Sequence, residues 1–407
     1  MNGPLPRLIS TRLAQALKAM PAVVVTGARQ TGKSTLVQAL AGGPSRTYLS
    51  LDEFQVRAQA RQAPEDLVRR PGPLTLDEVQ REPDLLIAVK QAIDGRRTRG
   101  RFLLTGSANL LLMRRVSESL AGRAYYLSLR PMTRRELLGH GRAGLWGELI
   151  SARDEDWRDL LEASEPLHED WRDLARRGGY PTPALRMHDP EERRFWFEGY
   201  ITTYLERDLQ DLSAISALPD FRRLMEAACH RVGQLVNQAE LGRDVSLPQP
   251  TVHRYLNLLE TSYQLVRLPA YSVNRTRRLI KTAKLYWTDS ALALHLAGEP
   301  SPSGAYLENL VLCDLLAWSD ARSQRTSILY WRTATGDEVD FVIETSGSLV
   351  PIEVKATRRP GWRDTQHLQS FRAEYGRKAR PGLLLHDGQT TEWLAPGVLA
   401  APWWRVL

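Results

Sequence analysis

The chain has 407 residues, 43% of them hydrophobic and 25% charged, which supports sizeable cores and excludes a disordered or fibrous protein. No apolar run approaches the roughly 18–20 residues of a membrane span, so no membrane contact is expected. The net charge of +8 is uneven: residues 1–145 hold 23 Lys+Arg against 11 Asp+Glu, so the leading part of the chain can meet a polyanion.

The opening MNGPLPRLIS lacks the apolar core of a secretory signal. Two cysteines, Cys229 and Cys313, have no partner at metal-ligand spacing, which points to a reducing, cytoplasmic setting without zinc. Of the 55 basic residues only seven are lysines, so each lysine stands out.

The first predicted strand, Ala22 to Val25, runs into Gly27-Ala28-Arg29-Gln30-Thr31-Gly32-Lys33-Ser34-Thr35 and then a helical pattern. This is G-x-x-x-x-G-K-S between a strand and a helix. Its glycines let backbone N–H groups curl round phosphates, and the helix N-terminus adds partial positive charge. Lys33 would reach the β- and γ-phosphates of ATP, and Ser34 would offer its hydroxyl to Mg²⁺. A second strand reads RTYLSLDE and a third PLTLDEVQ, so Asp77 and Glu78 close a strand at the end where ligands sit in parallel sheets. Asp77 suits a Mg²⁺ contact and Glu78 the activation of water. Asp52-Glu53 is a rival pair. In the fourth strand, FLLTGSAN, Ser107 or Asn109 could touch the γ-phosphate. A helix then leads to Arg123, just before the fifth strand AYYLSL, with Arg114 and Arg115 as rival arginines.

GARQTGKST, LTLDEVQ, FLLTGSAN, ESLAGR and LRPMTRREL resemble, in order and spacing, a prokaryotic AAA+ ATPase family whose members end in a nuclease-like domain of unknown function. RGGYPTPAL, YITTYLERD, LYWTDSAL and GAYLENLV extend the likeness over nearly the whole chain. The resemblance implies a homo-oligomer such as a hexamer. It also gives Arg123 the part of an arginine finger, completing a neighbouring subunit's site.

The acidic stretch 151–177 repeats EDWRDL at an interval of 14, near four helical turns, which predicts an amphipathic segment, interrupted at Pro166, packed on the ATPase domain. Residues 233–272 read as helix, turn, helix, strand and resemble a winged helix. There Thr251, His253 and Arg254 would face DNA, and Arg275, Arg277, Arg278, Lys281 and Lys284 would form a wing on phosphates.

EVDFVIE and LVPIEVKA predict a hairpin across Thr345 to Ser348. In that register Asp340 faces Glu353, and two like charges directly opposite call for a bridging cation. Glu353 and Lys355 share a face, and Glu308 lies beside the apolar stripe of the preceding helix. Glu308, Asp340, Glu353 and Lys355 resemble the E…D…E-x-K core of restriction-endonuclease-like, PD-(D/E)xK-type nucleases, which implies a Mg²⁺ site with Lys355 in a catalytic part. Valine rather than proline precedes Asp340, and a Q-x-x-x-Y motif is absent.

The expected class is therefore α/β, in four parts. They are an AAA+ P-loop domain (1–145), a helical lid with an acidic insert (146–230), a winged-helix-like part (231–300) and a restriction-endonuclease-like part (301–407). The expected activity is ATP hydrolysis acting on DNA, with cleavage or gripping by the last part. The rivals are an ATP-dependent regulatory switch and a protein remodeller.

Overall fold

The computed structural model describes residues 3–41, 46–106, 120–166, 168–203, 217–274, 276, 278 and 281–407. After the helix Ser10–Ala19 (α1), the strand Ala22–Thr26 (β1) is buried along its whole length. It leads to Lys33–Ala41 (α2), Thr47–Ser50 (β2), Leu74–Asp77 (β3), Leu85–Gly95 (α3), Phe102–Thr105 (β4) and Ala124–Ser128 (β5). The sheet order is β2-β3-β4-β1-β5, all parallel. Its strands read as continuous apolar runs because helices cover both faces. Val23, Val25 and Leu103 pack with Leu13 of α1 and Val37 of α2, while Val24, Leu76 and Leu104 pack with Leu86, Val89 and Ile93 of α3. With all strands parallel, the loop after β1 and the Asp77-Glu78 end of β3 open on the same edge, separated by β4.

The acidic stretch forms two helices, Trp157–Ala163 (α4) and Trp171–Arg177 (α5), with both tryptophans buried. The expectation that it packs on the ATPase domain is corrected. Its helices lie mainly against the C-terminal part: Arg380 stacks over Trp157, and Arg405 donates to Leu161 O and Glu162 O. The reason is chemical, since the carbonyls and carboxylates of this segment are what those two arginines need. Among the described residues, Glu169 reaches back to Arg134 at 3.0 Å.

Next come Pro190–Tyr200 (α6), Leu218–Cys229 (α7), Gln238–Asp244 (α8) and Gln249–Thr261 (α9). Asn237 caps α8 by accepting from the Ala239 and Glu240 amides. An antiparallel pair, Leu265–Leu268 (β6) and Lys284–Trp287 (β7), completes the helix, turn, helix, strand order.

The last part runs Gly304–Ala321 (α10), Ser327–Arg332 (β8), Glu338–Glu344 (β9), Leu349–Lys355 (β10), Gln366–Tyr375 (α11), Gly382–His386 (β11), Glu392–Ala395 (β12) and Val398–Pro402 (β13). Its sheet order is β12-β13-β11-β10-β9-β8. The β9–β10 hairpin has the register its loop length predicts, with Glu344 opposite Leu349 and Phe341 opposite Ile352. The edge strand β8 is covered by the chain leaving β6, where Tyr330 N–H donates to Pro269 O at 3.1 Å. At the far end, Arg134 donates to Trp404 O and Leu407 O, and Arg135 to Arg405 O, joining the ATPase part to the C-terminal residues. Among the described residues no helix is long and apolar enough to cross a membrane.

Candidate functional site

Thr26 ends β1, and the chain turns through Gly27 at φ +140°, where a Cβ would meet Leu129 O at 2.3 Å. Only glycine fits there. Gln30 and Gly32 also have positive φ. Thr31 donates its hydroxyl to Ala28 O at 3.0 Å, and Arg7 donates to Thr31 O at 2.8 Å and Glu136 at 3.0 Å, which fixes the loop from outside. Lys33 is buried, its Nζ donating to Ala28 O at 2.7 Å and Gly27 O at 3.2 Å. Burial pushes its pKa down to about 8, against the pull of Glu78 and Asp77. A buried ammonium held mainly by carbonyl dipoles fits an incoming phosphate. Ser34 is half-buried and Thr35 exposed on the first turn of α2.

Asp77 is buried, accepting from Tyr48 OH at 2.6 Å and from the Thr105 hydroxyl. Thr105 also receives the Glu78 amide at 3.1 Å, so one β4 side chain fixes the Asp77 carboxylate and the Glu78 backbone. Glu78 itself has φ +59°, and Gln80 donates to its carboxylate. A non-glycine residue held left-handed at a strand end is a strained position of the kind functional sites retain. The rival Asp52 pairs with Arg81 instead. Ser107, Asn109, Arg114 and Arg115 lie outside the described residues.

Arg123 precedes β5, and Ala124 pairs with Ala22 at the start of β1. It therefore sits roughly five residues, about 17 Å, from the phosphate loop of its own chain. Its guanidinium forks onto Asp94 at 2.6 and 2.9 Å.

Sequence reasoning missed the contacts that enter from the middle part. Tyr263 OH lies 2.8 Å from Thr26 Oγ1, and Tyr200 OH donates to Arg29 O at 3.4 Å. Tyr180, Tyr200 and Gln264 form a buried hydrogen-bond set behind them. Tyr263 has φ +59° at the end of α9, where glycine is the usual occupant. A tyrosine tolerated there keeps a hydroxyl on the residue that opens the phosphate loop. No local pattern signals such a contact, although the non-glycine turn could have been noticed.

The structure brings Glu308, Asp340, Glu353 and Lys355 into one cluster, as expected, and corrects the reading of Lys284, which joins them. Lys284, expected on a DNA-facing wing, is buried. Its Nζ lies 2.6 Å from Glu338, 3.3 Å from Glu308 and 3.3 Å from Asp340. Burial alone would lower its pKa, but Glu308, Asp340 and Glu338 raise it well above the ordinary lysine range. Asp340 accepts Val354 N–H with its other oxygen at 2.9 Å, and Tyr286 OH donates to Glu308. Glu353 pairs with Lys355 at 2.7 Å, and burial, then the charge of Asp340, raises its pKa. Two ammonium groups thus serve the carboxylates for which a divalent ion was expected. Among the described residues no three or more His, Cys, Asp or Glu side chains are placed to hold a metal. The donor set does not fit Mg²⁺, which needs near-octahedral oxygen ligation.

The rest of the predicted wing is only partly open. Arg278 donates both terminal nitrogens to Glu344, at 2.6 and 2.9 Å, so its charge is spent inside the protein, which corrects its assignment to phosphates. Lys281 is exposed; Arg275 and Arg277 lie outside the described residues. On α9, Thr251 is half-buried, while His253 and Arg254 are exposed.

Comparison with known proteins agrees with this layout at a coarse level. Residues 19–138 match the AAA domain model AAA_14, residues 168–303 a domain of unknown function (DUF8612), and residues 303–406 a domain of unknown function (DUF4143). The uncharacterized protein Rv2008c of Mycobacterium tuberculosis is 32% identical over 361 residues, covering 86% of this chain and 74% of that protein. An uncharacterized protein of Haemophilus influenzae is 21% identical over 376 residues, 86% of each chain. Among solved structures, the Walker-type ATPase PabY2304 of Pyrococcus abyssi aligns with 73% of this chain and 99% of its own, at 16% identity and a TM-score of 0.43. The chain belongs to the family of Rv2008c, with a P-loop ATPase-like AAA domain leading and a DUF4143 domain following.

Proposed function

We propose that this chain is a Mg²⁺-dependent ATPase working as a switch, in which the nucleotide state is passed from the phosphate loop to the middle part. The observation that carries it is the pair of tyrosine contacts, Tyr263 on Thr26 and Tyr200 on Arg29 O, on the residues that flank Gly27. Bound Mg²⁺·ATP supplies the transferable phosphoryl group and the ion that neutralises it. Lys33 neutralises the β- and γ-phosphates, Ser34 and Asp77 hold the ion, and Glu78 orients and deprotonates the attacking water. Thr105 keeps the Asp77 carboxylate and the Glu78 backbone in place. Arg123, at the opposite edge of the sheet, reaches a γ-phosphate only in a second copy, so the working form is a homo-oligomer in which Arg123 leaves Asp94.

DNA is the proposed polyanionic partner. Besides His253 and Arg254, support comes from the base of the ATPase sheet. There Arg96 and Arg99 are exposed and make no ion pair among the described residues. The test is ATP turnover with and without duplex, single-stranded and branched DNA, in the parent, in Arg96→Glu/Arg99→Glu and in His253→Glu/Arg254→Glu. DNA that neither binds nor changes turnover in the parent ends the DNA reading and leaves the switch. A nuclease is the second reading, favoured by the buried Glu353 oxygen that has no hydrogen-bond partner beside the partly exposed Lys355. Nicking by the parent that is lost in Glu353→Gln and Lys355→Ala would establish it.

A further inference from the structure

We propose that Lys284 is the resident cation of the C-terminal carboxylate cluster, latching β7 of the middle part onto α10 and β9, and that a divalent ion and this ammonium exclude one another there. The inference stands apart from the ATPase reading, because no residue of the phosphate loop takes part. Its ground is the account of oxygens. Glu308 Oε1 is taken by Lys284 and Tyr286, both from β7. Asp340 gives Oδ1 to Lys284 and Oδ2 to the Val354 amide. Glu338 gives Oε1 to Lys284 and Oε2 to Arg332 at 3.2 Å. The other Glu308 oxygen faces Gly233, which leaves it room: a Cβ there would stand 3.2 Å from it. Of the carboxylate oxygens in this cluster, Glu353 Oε2 is the one buried without a hydrogen-bond partner among the described residues. Lys284 holds Glu338 Oε1 and Asp340 Oδ1 and shares Glu308 Oε1 with Tyr286, so a divalent ion could gather these oxygens only by taking the place of the ammonium.

The latch adds charge to a seam that is also hydrogen-bonded: Trp287 N–H donates to Asn309 Oδ1 at 2.9 Å, and Tyr330 N–H to Pro269 O at 3.1 Å. Lys284 begins β7, and that strand ends beside Thr288, whose amide donates to Gln264 O at 2.9 Å in the turn that also carries Tyr263. The lysine therefore joins the hairpin of the middle part to the sheet of the last part through charge, where a metal would have tied the last part only to itself.

The test counts Mn²⁺ bound to the full chain by electron paramagnetic resonance, without nucleotide, in parent, Asp340→Asn, Lys284→Ala and Lys284→Gln. Parent and Asp340→Asn should titrate alike. Each Lys284 variant should gain a site at least tenfold tighter than any the parent shows, and the gain should vanish when Asp340→Asn is added. Lys284→Gln keeps a donor without the charge and serves if Lys284→Ala does not fold. If neither folds, the parent decides: a Mn²⁺ site lost in Asp340→Asn overturns the proposal, and identical titrations support it. Folded Lys284 variants that gain no Mn²⁺ also overturn it.

Discussion

Two of the seven lysines are buried in the same degree and have opposite surroundings. Lys33 is 5% exposed and donates to two carbonyls; Lys284 is 2% exposed and lies among three carboxylates. Burial disfavours the ammonium in both places. At Lys33 that cost is left largely uncompensated, so the residue lacks negative charge and a phosphate answers it. At Lys284 the protein has already supplied the charge, so the residue is a joint. Exposure or residue type would not separate the two. The partner oxygens do.

The comparison breaks most sharply in catalysis. Lys33→Met should lose ATP binding outright, and Glu78→Gln should bind ATP while turning over on the order of 10²-fold more slowly or worse. Lys284→Met should leave ATP affinity unchanged. Equilibrium binding and single-turnover rates on the same preparations measure this, and normal turnover in Glu78→Gln would remove its assigned role.

Stability should invert the order. Lys284→Met leaves three carboxylates facing one another and should cost about 3–5 kcal/mol, the usual loss when one partner of a buried ion pair is removed. Lys33→Met relieves an under-compensated buried charge and should unfold at the same denaturant concentration as the parent, or higher. Urea melts in chelator decide. A Lys284→Met chain as stable as the parent would mean that the carboxylates are already neutral.

Acid–base behaviour sharpens the contrast further. The folded-state pKa of Lys33, about 8, lies below the ordinary lysine value, so the folded chain binds fewer protons between them. Its burden on folding is therefore full below about pH 8 and fades as the pH rises toward the unfolded value. ATP calls for the charged form. Affinity should fall above about pH 8, by up to about tenfold per pH unit, with proton uptake on binding over that same range and none well below it. Lys284, whose pKa is raised, should stay charged throughout. Calorimetry in buffers of different ionisation heat reads the uptake.

What was legible follows from distance along the chain. The phosphate loop, the Asp77-Glu78 strand end and the β9–β10 register are set by neighbours within a few residues, and each reads directly. Thr26 and Tyr263 are 237 positions apart, and Lys284 and Asp340 56. No periodicity carries such pairs. Lys284 drew attention as a rare lysine, yet four basic neighbours suggested an exposed wing, and burial reversed that reading.

The smallest effect concerns Arg123. Asp94→Ala should barely move the melting temperature, because the pair is solvent-exposed. Arg123→Ala should keep ATP affinity and lower turnover. Mixing it with Glu78→Gln should restore part of the activity, since one interface of each mixed pair is intact. Confirmed mixed oligomers without recovery would count against action in trans.

Arg134 and Arg135 reach across some 270 positions to the carbonyls of Trp404 to Leu407. On the ribosome the ATPase sheet emerges first and could collapse early, as leading domains do. Arg134 also pairs with Glu169, but among the described residues the other acceptors of these two buried guanidinium groups lie at residues 404–407, far later in the chain. Until those carbonyls are in place both cations stay hydrated, and their burial has to wait. The part of the chain made first is therefore among the last to finish folding.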